Sequence, residues 1–340
     1  MDDKKNIRKK RDSKNGKNMT QPITENLDYK YLDKIKHIKF QPIFILGLHR
    51  SGTSILYKIL SATQSFNIVT AYHLIRYDQL LHNYINDLEE KAKNDLKKFF
   101  KKQSQTTREI DQLHITPDMP EEYGFLLAKK DKRSELNNKN LPVFIELCKK
   151  IQYISDKNKP ILLKNPYDFT NFLFIKKKFP NSKFIFIHRH PLNTLNSQLN
   201  AMRKLLKKKN HYMTLLSPGY KKVYDNKILL YYHRILYSHY LPLRLFTAVR
   251  KMIKNINYFL KDIEHLKEED YINIRYEDLC RETNKIINGI TSFLDTNPQQ
   301  SRDYSGFISP RKTIFLRETK MIKNYILKKT GSYLSYCGYI

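Results

Sequence analysis

The chain has 340 residues, 40% of them hydrophobic, enough to bury a substantial core in one large domain. Its longest apolar runs, such as Ile43 to Leu48 and Ile228 to Tyr232, fall far short of the roughly 20 residues that cross a bilayer, so no transmembrane segment is expected. A count of 63 Lys and Arg against 33 Asp and Glu gives a net charge of +30. Such a charge attracts phosphates, acidic polymers or anionic membranes, but abundant Lys, Asn, Ile and Tyr is also what an A/T-rich genome encodes, so it selects none of them alone.

Residues 1–26 are dense in Lys, Asp and Asn and lack the apolar core of a secretory signal; they read as a disordered basic tail. Residues 38–340 then read as a single α/β domain with helical insertions at about 77–155 and 200–266. Cys148, Cys280 and Cys337 lie far apart and have no metal-ligand spacing, which suits a reducing cytoplasm.

The run Lys39 to Gly47, "KFQPIFILG", is apolar, rich in β-formers and closed by glycine, and predicts a buried strand. A helix follows from Gly52 or Thr53, with Ile55, Leu56, Ile59 and Leu60 on its apolar side. Tyr77 to Gln103 predicts a charged helical stretch, Thr116 to Glu122 a loop with two prolines, and Glu122 to Tyr153 further helix. Lys159 to Asn165 predicts a second strand, Asp168 to Phe179 an amphipathic helix stopped by Pro180 and Asn181, and Lys183 to His188 a third strand. Pro191 to Leu206 reads as helix with proline in its first turn. Lys221 to Leu266 reads as a long helical region bent at Pro242. Tyr271 to Tyr276 reads as a fourth strand, Glu277 to Leu294 as helix, Ser305 to Pro310 as loop and Lys312 to Lys328 as helix. Strands alternating with helices predict a parallel β-sheet flanked by helices, a three-layer αβα fold of the P-loop nucleotide-binding type, with ligands at the carboxyl ends of the strands.

The string Gly47-Leu48-His49-Arg50-Ser51-Gly52-Thr53-Ser54 joins strand to helix, where backbone N–H groups and the helix dipole converge on an anion. Its glycine spacing matches G-x-x-x-x-G-K-[ST], but Thr53 stands where a nucleotide-triphosphate loop needs lysine. Arg50 moves the positive charge into the loop, where a guanidinium grips phosphate or sulfate in a bidentate fork. After the third strand come Arg189 and, eight residues on, Ser197. With Arg189 ending the strand and Ser197 two turns into the next helix, both can face one pocket at the carboxyl edge of the sheet.

With these two segments the chain resembles the PAPS-dependent sulfotransferase family, whose donor is 3′-phosphoadenosine 5′-phosphosulfate. "GLHRSGTSIL" is like its 5′-phosphosulfate loop and "FIHRHPLNTLNSQ" like its 3′-phosphate motif. "LLKNPYDFTNFLFIKKKFPNSKFIFIHRHP" and "IRYEDLCRETNKIINGITSFLD" are similar to its Lys-x-Pro approach and its Tyr-Glu-Asp-Leu segment. The resemblance covers roughly Pro42 to Asp295, more poorly over Ile68 to Leu147. It implies that Arg50, Ser51, Gly52, Thr53 and Ser54 hold the 5′-phosphosulfate and Arg189 and Ser197 the 3′-phosphate, with no metal. It also implies a basic residue over the 3′-phosphate from the C-terminal "FISPRKTIFLRETK", here Arg311 or Lys312.

Sulfuryl transfer rests on positioning and on stabilising the charge that grows on the bridging oxygen, a task for Arg50 and, at the end of the second strand, Lys164. The acceptor also needs a base. Many family members carry a glutamate shortly after the first loop and helix, but "NIVTAYHLIRYDQ" offers His73 and, later, Asp78. "TPDMPEEYGFLL" supplies Glu122, and less favourably Glu121. His190 stands where aspartate or asparagine is usual in the family.

Two other readings compete: a P-loop small-molecule kinase, opposed by Thr53, and a basic nucleic-acid-binding protein without catalysis, for which no specific nucleic-acid motif is present. The acceptor, whether a small molecule, glycan, lipid or peptide, and the oligomeric state are not encoded in any motif.

Overall fold

A computed structural model describes residues 25–103, 107–108, 110, 113–238, 243–296, 302–308 and 313–340. Five strands, β1 (Pro42–Leu46), β2 (Asn67–Ile68), β3 (Ile161–Lys164), β4 (Lys183–His188) and β5 (Tyr271–Arg275), form one sheet in the order β2-β3-β1-β4-β5. Every pairing is parallel, with Ile45 opposite Lys164 on one side and Ile185 on the other. All carboxyl ends therefore share one edge.

The central strands are apolar throughout because both faces of the sheet are covered. Phe44, Leu46, Leu163, Phe184 and Phe186 point into one core, whereas Ile43, Ile45, Leu162, Ile185 and Ile187 alternate into the other. The helices Leu141–Ile154, Pro191–Lys207 and Leu243–Asp262 cover the first face, and Thr53–Ala62 and Thr283–Phe293 the second. The expected three-layer α/β fold is thus the observed one. Tyr57 ties the second layer to the sheet, its hydroxyl 3.1 Å from Leu162 O and accepting from Val69 N–H at 2.8 Å.

Four of the five strands fall where the apolar runs place them; β2, two residues long, carries no such run. The region 221–266 is not one helix. Ser217 and Asn226 side chains accept from Tyr220 N–H and Leu229 N–H, so each starts a new helix, Pro218–Asp225 and Lys227–Leu236. The bend expected at Pro242 lies outside the described residues. Likewise the stretch 122–153 divides into Gly124–Asp131 and Leu141–Ile154.

Candidate active site

The turn after β1 enters the left-handed region twice, at Arg50 (φ 71°) and Gly52 (φ 109°), and Ser51 N–H closes it on Leu48 O at 3.0 Å. A side chain at Gly52 would strike the Tyr276 ring at 2.3 Å, and one at Gly47 would meet Ile187 O at 2.6 Å. Glycine is therefore needed at both. Gly52 is also the N-cap of the helix Thr53–Ala62, with no side-chain hydrogen bond at that cap. The helix's first N–H groups and the positive end of its dipole thus face the turn, which makes an anion nest.

β4 lies beside β1, so Arg189 emerges next to this turn. Its Nη1 donates to Arg50 O at 3.1 Å, and its guanidinium sits 4.4 Å from the centre of the Tyr276 ring. Tyr276 begins the helix after β5 and so both packs on Gly52 and lies against the Arg189 guanidinium. Ser197, two turns into Pro191–Lys207, accepts from Arg50 Nε at 3.2 Å. Arg50 also donates to Ile110 O at 3.1 Å. The two segments singled out in the sequence are therefore in direct contact. His190 caps that helix, its Nδ1 accepting from Leu192 N–H at 3.3 Å.

Lys164, buried at the end of β3, joins the loop to the loop segment before Gly124. Its Nζ is 2.9 Å from Ser54 Oγ and 2.7 Å from Glu122 Oε1. Burial works to raise the Glu122 pKa, but the Lys164 ammonium, which both pairs with the carboxylate and donates to it, outweighs burial with help from Arg108 and holds the carboxyl below its ordinary range. Glu121 turns the other way, into the interior, where it pairs with Arg108 and accepts from Tyr212 OH at 3.0 Å. His73 sits at the start of the helix Ala71–Ile75, where its Nδ1 accepts from Thr70 N–H at 3.2 Å in a capping box. It is not among the residues that line the cleft. Arg311 and Lys312 lie outside the described residues, although Asn196 fixes Ile314 and Leu316 against the helix that carries Ser197.

Arg50, Gly52, Thr53, Ser54, Glu122 and Arg189 line one cavity of about 1070 Å³. His49, Gln198 and Tyr276 also face it and had not been singled out. His49 packs edge-on to Tyr167 at 4.5 Å, its carbonyl accepts from Gln198 Nε2 at 2.8 Å, and burial pushes its pKa down to about 4. It is a neutral hydrogen-bonding group beside Glu122 at physiological pH. Its only signal in the sequence was its place inside the glycine loop.

The model of the sulfotransferase family matches residues 42–300, so the chain belongs to the sulfotransferase family. Sulfotransferase STF9 from Mycobacterium avium superposes with a TM-score of 0.64 at 14% identity, covering 91% of this chain and 80% of that one. Sulfotransferase STF1 from Mycobacterium tuberculosis H37Rv gives 0.53 at 12% identity, over 89% and 79%. At these identities the two structures share the fold. No curated protein sequence gives a significant match.

Proposed function

We propose that the protein transfers a sulfuryl group from PAPS to a hydroxyl or amine of an acceptor, without a metal, in the cytoplasm. The observation that carries this reading is the contact of Arg50 with both Ser197 and Arg189 at the carboxyl edge of the sheet. The donor would supply an activated sulfuryl group on a phosphate leaving group. The surroundings fit such a ligand: Arg189 lines the cleft, and its Nε is buried with no protein partner among the described residues, a position that is costly for a polar atom unless a ligand or water meets it.

Arg50, with the N–H groups of Ser51, Gly52, Thr53 and Ser54, holds the 5′ end and offsets charge growing on the bridging oxygen. Arg189 and Ser197 grip the 3′-phosphate, with Arg311 closing over it. Glu122 is the base that receives the acceptor proton. Lys164 keeps Glu122 ionised, and its hold on Ser54 fixes base and loop in one frame. A small-molecule kinase would need a lysine where Thr53 is buried at the helix start. The acceptor side of the cleft opens onto Met202, Met213, Tyr220, Tyr237 and Met252, which suits an acceptor with an apolar part.

Radiosulfur-labelled PAPS supplied with a metabolite extract tests the proposal. Label should move to a discrete compound with wild-type protein and at least about 100-fold more slowly with Glu122→Gln, in line with the loss of a general base. Absence of any labelled product in extracts that support other sulfotransferases would argue against it.

A further inference from the structure

The helix Lys227–Leu236 is apolar on two sides: Leu229, Leu230 and Leu236 turn inward, and a second apolar stripe faces outward. Ile228, Tyr231, Tyr232 and Ile235, spaced as one helical stripe, are 81%, 68%, 53% and 38% exposed. Leu243 and Phe246, at the start of the next described helix, add 47% and 63%. Exposed large apolar side chains scattered singly are ordinary, but six within 19 residues form a patch that marks an interaction surface.

The charge of the segment that carries the patch says what it meets. Residues 200–261 hold 14 Lys or Arg and a single acid, Asp225, and that acid is itself engaged by Lys209 and Lys221. A second copy would bring the same cations face to face, which like charge opposes. An aliphatic stripe with tyrosines, whose rings are apolar and hydroxyls polar, set in a field of Lys and Arg, is the composition of a segment lying at the headgroup boundary of an anionic bilayer. No helix among the described residues is long and apolar enough to cross a membrane, so the contact is peripheral.

We propose that the outer face of Lys227–Leu236, with the start of Leu243–Asp262, docks this protein on anionic membrane surfaces. His233 and Tyr237, on the other side of the same helix segment, line the cleft, so docking sets the rim of the cleft against the headgroup layer. The proposal does not depend on the reaction assigned above.

Flotation of the full chain with vesicles tests it. Wild-type protein should float with phosphatidylcholine vesicles containing phosphatidylglycerol, far less with phosphatidylcholine alone, and less as salt rises. The double variant Ile228→Glu/Tyr231→Glu should bind at least about tenfold more weakly while keeping the wild-type melting temperature, because both side chains are already in solvent. The control Tyr29→Glu/Ile340→Glu makes the same charge change at exposed apolar residues elsewhere and should bind as wild type. Three results would overturn the proposal: equal binding by the double variant and the control; no vesicle binding by a protein that does bind duplex DNA; or a wild-type dimer that the double variant dissociates.

Discussion

Arg189 is held over the Tyr276 ring with one N–H already given to the Arg50 carbonyl, so its remaining donors lose little further side-chain freedom on binding. Replacing it with alanine removes charge-assisted hydrogen bonds of about 1.5–3 kcal/mol, and calorimetry should find adenosine 3′,5′-bisphosphate bound some tenfold to 100-fold more weakly. Arg50→Ala should act on the other quantity: single-turnover transfer slows more than donor affinity falls, because its charge matters most as the bridging oxygen becomes negative. Equal losses in both quantities for both variants would dissolve this division of labour. Gly52→Ala meets two obstacles at once, a φ of 109° and the Tyr276 ring. It should abolish donor binding by displacing Tyr276 and, with it, Arg189.

At the scale of elements, the sheet centre carries the stability. Phe44 stacks on Phe184 and Phe144 at centroid distances of 5.8 and 6.0 Å, and Phe44→Ala should cost about 3–5 kcal/mol in denaturant unfolding. The same strands were the most legible part of the sequence, because a strand buried on both faces must be an unbroken apolar run. The glycine loop and the Arg189–Ser197 spacing were legible for a related reason: each is local, fixed by a strand end and a helix start. Other features depend on distant partners. Glu121 and Glu122 are adjacent and chemically identical, yet Arg108 and Tyr212 draw one inward while Lys164 draws the other to the cleft. His49 became a site residue only through Tyr167 and Gln198. β2 exists because Ile161 and Leu162 offer it an edge, not because Asn67 and Ile68 favour a strand. The breaks at Ser217 and Asn226, by contrast, were readable as N-caps in a stretch whose helical periodicity concealed them.

For the molecule as a whole, burial holds His49, His73 and His188 at pKa values of about 4, against an ordinary 6.5. Each binds its proton more readily in the unfolded chain. Their contribution to stability is therefore complete above pH 6.5, is lost as pH falls from 6.5 toward 4, and changes no further below that. Thermal unfolding should show a midpoint that drops through this window, before the carboxylates add their own loss. A flat midpoint from 6.5 to 4.5 would mean that these rings are solvated.

The central claim is that the first glycine turn and the segment after β4 form one cradle for a nucleotide charged at both its 3′ and 5′ positions. Titration calorimetry with adenosine 3′,5′-bisphosphate in the presence of a metal chelator tests it most directly. Saturable one-to-one binding, weakened at least about tenfold by Arg189→Ala and not displaced by ATP with magnesium, is the predicted result. Binding of ATP that requires magnesium, together with indifference to the 3′-phosphate, would contradict it.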